Sequence, residues 1–169
     1  KLCALPGARA TGALIDQGRS MKDLRPILLV EDSTKDAELT MAALARCQLL
    51  NPVVHVRDGQ EALDYLRSHG PYAGASHGGP VVVLLDLKLP KLNGLEVLAE
   101  IRGDALLKST PVVMLTSSRQ ERDLVQSYDS GVNAFVVKPL DFNEFLEAVQ
   151  ELGMFWGVTN QPPPFVPVA

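Results

Sequence analysis

Short, almost unbroken apolar runs recur along the chain: ILLV at 27–30, VVHV at 53–56, VVVLL at 81–85, VVML at 112–115 and AFVV at 134–137. Continuous rather than alternating apolarity predicts strands covered on both faces, as in a parallel sheet. Between the runs lie segments with helical spacing, near 34–48, 59–68, 93–102, 119–129 and 141–156. The last is the clearest, with Phe142, Phe145, Leu146, Val149, Leu152 and Trp156 on one face.

The helix starts carry their own signature. Ser33 with Asp36, Asp58 with Glu61, Asn93 with Glu96, Ser118 with Glu121 and Asp141 with Glu144 share one spacing. Each sets a short capping side chain three residues before an acid, the arrangement of a capping box. Five strands alternating with five helices predict an α/β domain of the (βα)5 kind, and right-handed crossovers place helices on both sheet faces. The Gly-rich piece HGPYAGASHGGP at 69–80 is expected to be a mobile surface loop, because a phosphate-cradling loop needs a lysine followed by Ser or Thr and none is there.

This pattern runs from residue 26 to residue 156. The first 25 residues show neither a signal-peptide core nor a helical period, and are expected to form a disordered or artefactual leader, with Met21 an alternative start. Residues 157–169, GVTNQPPPFVPVA with its first glycine at 157, are too short and Pro-rich for a further domain. A helix-turn-helix output segment is therefore not expected.

Charge and composition narrow the function classes. The 169 residues are 46% hydrophobic and 21% charged, as in ordinary globular domains, and the net charge of -4 gives no reason to expect nucleic acid or an anionic membrane as partner. Two cysteines, Cys3 and Cys47, imply no disulfide framework, so a reducing cytoplasm is the expected location. No apolar stretch approaches the roughly 20 residues that span a bilayer.

In an open parallel sheet, ligands sit outside the carboxyl ends of the strands. The predicted strands end in Glu31-Asp32, Arg57-Asp58, Asp86, Thr116-Ser117 and Lys138-Pro139. Any one of these polar ends is ordinary. Three acids at one edge would repel one another and raise their pKa values, a cost most easily met by a cation among them. Oxygen donors without His or Cys point to a hard ion, magnesium before zinc, which keeps positions open for phosphoryl oxygens.

The motifs VEDS at 30–33, LLDLKLPKLNG at 84–94, MLTSS at 114–118 and FVVKP at 135–139 resemble, in order and spacing, the receiver domain of two-component response regulators. The long 69–80 loop, SYDSGVNAF and the closing FW look most like single-domain regulators that serve phytochrome-type histidine kinases. The resemblance implies a flavodoxin-like doubly wound fold, with a five-stranded parallel sheet in the order 2-1-3-4-5. It implies that Asp86 accepts a phosphoryl group from a sensor histidine kinase, with a bacteriophytochrome as the candidate partner. Mg2+, with Mn2+ as substitute, would be held by Asp32, Asp86 and the backbone carbonyl of Lys88, with Glu31 acting through a water. Lys138 would pair with Asp86 at rest and with a phosphoryl oxygen afterwards, across a Lys138-Pro139 peptide that is usually cis in the family. Thr116 would bind the phosphoryl group and, with Phe135 at the switch-aromatic position, repack the face of the fourth helix, fifth strand and fifth helix. Phe135 equally suits plain core filling.

On this reading the protein is a relay, not an enzyme on other substrates; it catalyses only its own aspartyl phosphorylation and dephosphorylation. Its output is protein contact: a homodimer through that face, with the aromatic tail as a contributor, and a downstream phosphotransfer protein. Lys88 and Ser118 lie near the leaving phosphoryl group, but their identities do not predict its lifetime. Competing readings fit less well. A haloacid-dehalogenase phosphatase wants an acid two residues past the nucleophile, where Lys88 stands, and an FMN binder wants a Ser/Thr-rich loop where Glu31-Asp32 would repel phosphate. A silent scaffold would usually lack the acceptor Asp or the lysine.

Overall fold

The computed structural model describes residues 24–46, 49–74, 79–116, 131–138, 144, 147–151 and 155. The order is β1 (Ile27–Val30), α1 (Thr34–Arg46), β2 (Val53–Val56), α2 (Gly59–Leu66), a 3-10 turn (Gly70–Tyr72), β3 (Val82–Asp86), α3 (Gly94–Gly103), β4 (Val112–Thr116) and β5 (Ala134–Val137). Residues 144 and 147–151 are helical as well. Residues 1–23 of the leader, the fourth predicted helix at 119–129 and the tail after Trp156 lie outside the described residues.

All five strands are parallel and ordered β2-β1-β3-β4-β5. The apolar runs explain the order of burial. The central strands β1, β3 and β4 are buried at every residue, whereas the edge strands β2 and β5 are mostly half-buried. Side chains alternate between two cores. On one face Leu28, Val30, Val83, Leu85 and Met114 pack with Leu63, Leu66, Val97, Leu98 and Ile101 of α2 and α3. On the other, Ile27, Leu29, Leu84, Val113 and Leu115 meet Ala37, Ala43 and Leu44 of α1, together with Val149. Val149 is fully buried, as the helical face predicted for 141–156 requires.

Helix caps follow the spacing, with one variation. At α3, Asn93 accepts from Glu96 N–H, and the Glu96 side chain accepts from Asn93 N–H, a complete capping box. At α1, Ser33 Oγ accepts from Asp36 N–H at 3.3 Å. At α2, Asp58 accepts from Glu61 N–H at 2.8 Å, but the Glu61 carboxylate accepts from Arg57 N–H instead of the cap's own. The Ser118–Glu121 pair and Asp141 lie outside the described residues.

The expectation of a mobile loop at 69–80 needs correction at its start. Gly70–Tyr72 forms a 3-10 turn; the Tyr72 hydroxyl donates to Glu61 at 2.8 Å, and its ring meets Tyr65 edge-on with centroids 5.1 Å apart. An aromatic pair and a charged acceptor anchor a segment that Gly and Pro content alone marks as loose. Residues 75–78 lie outside the description.

Candidate functional site

Parallel strands deliver all their carboxyl ends to one edge. There Glu31, one residue past β1, is 1% exposed, and Asp86, the last residue of β3, is 5% exposed. Asp32 beside them is exposed. Carboxylate oxygens of Glu31, Asp32 and Asp86 all lie within 4.8 Å of one another. Two buried acids so close demand a counter-charge, and Lys138 supplies it from the residue after β5. Its ammonium lies 2.5 Å from Glu31 Oε2, 2.7 Å from Asp86 Oδ1 and 3.4 Å from Asp36 Oδ2.

The second oxygen of each buried acid is also used. Asp86 Oδ2 accepts from the Lys88 backbone N–H at 2.8 Å, and Glu31 Oε1 accepts from Ser33 N–H at 3.3 Å. Burial pushes the Glu31 carboxyl above its ordinary range, opposed by the Lys138 ammonium. Burial also works against the Lys138 charge, but Asp86 and Glu31 together outweigh it and hold the lysine above its ordinary value. The arrangement is thus a charged lysine clamped between acids, with an exposed carboxylate at its lip. An oxygen-only donor set of this kind suits a hard divalent cation.

Comparison with known proteins bears directly on this edge. Residues 27–150 match the response regulator receiver domain. The chain belongs to this family.

Within it, the receiver is 39% identical to response regulator Rcp1 of Synechocystis sp. (strain ATCC 27184 / PCC 6803 / Kazusa) over 77% of this chain and 87% of Rcp1. The Mn(2+)-bound form of Rcp1 superposes with a TM-score of 0.74 at 38% identity, covering 82% of this chain and 99% of that one. The bacteriophytochrome response regulator AtBRR is 61% identical, with a TM-score of 0.70 over 82% of this chain and 99% of AtBRR. The phosphorylated cyanobacterial phytochrome response regulator RcpA is 44% identical, with a TM-score of 0.75 over 83% of this chain and 99% of RcpA.

The receiver's remaining predicted residues fall around the same edge. Thr116 ends β4, fully buried, and its carbonyl accepts from Lys138 N–H at 2.6 Å, so the two residues are tied through the backbone. Phe135 lies on β5 in register with Met114, half-buried against the core on the α2 and α3 face. Ser117, Ser118 and Pro139 lie outside the described residues, and with Pro139 the expectation of a cis peptide.

Three contacts escape sequence reasoning. Asp36, read only as a helix-start acid, reaches Lys138. His55 Nε2 lies 2.8 Å from the Glu31 backbone carbonyl, and a polar residue inside an apolar strand was the available signal. The loop after Asp86 docks on α2: Lys91 lies 2.6 Å from the cap Asp58, and a Cβ on Gly59 would stand 2.2 Å from the Leu92 carbonyl oxygen. Lys91 adopts a φ of 66°, in the left-handed region, to make that turn.

Proposed function

We propose that this receiver is a phosphoacceptor relay in which Asp86 takes a phosphoryl group from a phosphohistidine of a sensor histidine kinase. The observation that carries the reading is the fixed Asp86 carboxylate, held by Lys138 and the Lys88 amide beside two further acids. The O–P bond forms as the P–N bond of the donor breaks; the imidazole leaves with the bonding pair and takes a proton, and Asp86 becomes an acyl phosphate. Lys138 then follows the charge from the carboxylate to a phosphoryl oxygen. Thr116 donates its hydroxyl to another, and Phe135 turns into the space Thr116 vacates, which repacks the face around β5.

Mg2+, with Mn2+ as substitute, would be held by Asp32, Asp86 and the Lys88 carbonyl, with Glu31 through a water; when bound it neutralises charge on the transferring group. The Mn(2+)-bound form of Rcp1 and the acidic cluster support a divalent ion here. The phosphorylated form of RcpA supports the acceptor chemistry, and the 61% identity to a bacteriophytochrome response regulator favours a phytochrome-type kinase as donor. The relay acts in the cytoplasm, and its output passes through a homodimer and a phosphotransfer protein. For the dimer, sedimentation of a chain truncated after Gly153 tests the part played by the tail.

The deciding experiment incubates the chain with acetyl phosphate, with and without Mg2+, and reads intact mass. The expected result is a gain of about 80 Da, the mass of one phosphoryl group, in the presence of Mg2+ and absent from Asp86→Asn. No gain in the wild type, or a gain retained by Asp86→Asn, overturns the assignment.

A further inference from the structure

The turn that carries Asp32 is held from the neighbouring strand. The backbone ladder between β1 and β2 ends where Glu31 N–H donates to the Val56 carbonyl at 3.1 Å. One residue later β2 has left the sheet, because Asp58 must cap α2. The Glu31 carbonyl thus lies beyond the strand pairing, and the donor it meets is the half-buried His55 ring, with Nε2 at 2.8 Å. A carbonyl oxygen only accepts, so Nε2 carries the proton and the tautomer is set.

Glu31 is consequently fixed on every side: its N–H by Val56, its carbonyl by His55, and its carboxylate by Ser33 and Lys138. Asp32 is different. It is exposed, and its short side chain moves with the Glu31-Asp32 peptide that His55 pins. We infer that His55 is a positioning residue for a divalent cation: by holding the Glu31 carbonyl it aims the Asp32 carboxylate toward Asp86. The inference rests on the proposed cation site at Glu31, Asp32 and Asp86. It assigns to a β2 side chain a function outside the acids themselves. Partners that orient ligands typically change metal affinity by tenfold or more when removed.

The test compares His55→Met with His55→Gln in the full chain, because both side chains are unbranched and of similar length while only the glutamine amide can donate. Mn2+ binding is measured by calorimetry alongside wild type and Asp32→Asn, and metal-free melting reports the fold. The expected result is binding weakened about tenfold in His55→Met and mostly restored in His55→Gln, with similar melting temperatures. Equal affinity in His55→Met and wild type overturns the inference, as does a glutamine variant as weak as the methionine one. Should the methionine variant fail to fold, the wild type still decides: 15N shifts must show the Nε2–H tautomer at His55, and an unprotonated Nε2 removes the contact. If wild type binds no Mn2+, or Asp32→Asn binds it equally well, the cation site itself falls and His55 with it. That outcome is distinct from intact wild-type binding that ignores His55.

Discussion

A Cβ on Gly94 would stand 2.4 Å from the backbone carbonyl oxygen of Asp86, closer than any side chain can approach. The same Cβ would crowd Met114 Cε at 2.9 Å and Leu87 Cα at 3.0 Å. The first residue of α3 therefore lies directly on the strand end that presents the phosphoacceptor candidate, tied there by Gly94 N–H donating to the Leu87 carbonyl at 2.9 Å.

Gly94→Ala forces that contact apart. The surroundings are backbone and buried side chain, so relief requires α3 to shift, costing about 1–3 kcal/mol by analogy with overpacked cores. Urea denaturation measures the loss. Phosphorylation by acetyl phosphate should slow in the same variant, because the helix shift displaces the Asp86 carboxylate.

Lys138→Met removes the ammonium between Glu31 and Asp86 and leaves two buried acids facing each other. Removing one partner of a buried ion pair costs about 3–5 kcal/mol. The penalty depends on pH in a definite direction. Burial already pushes Glu31 up, and the variant removes the Lys138 ammonium that opposes it. An acid whose folded pKa is raised lets the folded state bind the proton more tightly, so stability falls as pH rises through that range. The variant's deficit in urea should accordingly be smaller at pH 5 than at pH 8.

Tyr65 and Tyr72 give a second pH signature. Burial pushes both phenols up to about 12, and at Tyr72 the Glu61 carboxylate adds to the effect. Since the unfolded value is about 10, their contribution to stability is complete below that pH and is lost as pH climbs through about 12. In an absorbance titration at a tyrosinate wavelength, two of the three tyrosines should ionise late in the native chain and near the ordinary value in urea. Tyr72→Phe should remove one late step and cost about 1 kcal/mol, the net worth of an ordinary hydrogen bond.

Arg102 ties the C-terminal end of α3 to two loops. It donates to the carbonyls of Gly131 at 2.8 Å, Lys108 at 3.1 Å and Thr110 at 2.9 Å, and to the Asn133 side chain at 2.9 Å. Asn133 Oδ1 in turn accepts from Val112 N–H at 2.7 Å, which fixes the start of β4. A lysine cannot reproduce this planar fork. Arg102→Lys should lose about 1 kcal/mol, chiefly through the half-buried Thr110 carbonyl that loses its donor, visible as a lower urea midpoint with an unchanged slope.

How much was legible in advance follows from the range of each interaction. The apolar runs determined the strands, because burial on both faces is written into consecutive residues; the structure moves three of their boundaries, each by one residue, starting β3 at Val82, ending it at Asp86 and ending β4 at Thr116. The three-residue cap spacing likewise determined where α1, α2 and α3 begin, since a cap and its helix are neighbours along the chain. Acids and a lysine at strand ends were visible for the same reason: a parallel sheet brings every carboxyl end to one edge. Tertiary structure alone decided which of those groups touch. Lys138 reaches Glu31 across a sequence separation of 107 residues and Asp36 across 102, and His55 finds a carbonyl 24 residues away. Such contacts leave no period in the sequence. They exist because strand order sets β1 between β2 and β3, and because a polar group stranded where a ladder stops must take its partner from whichever side chain the fold brings within reach.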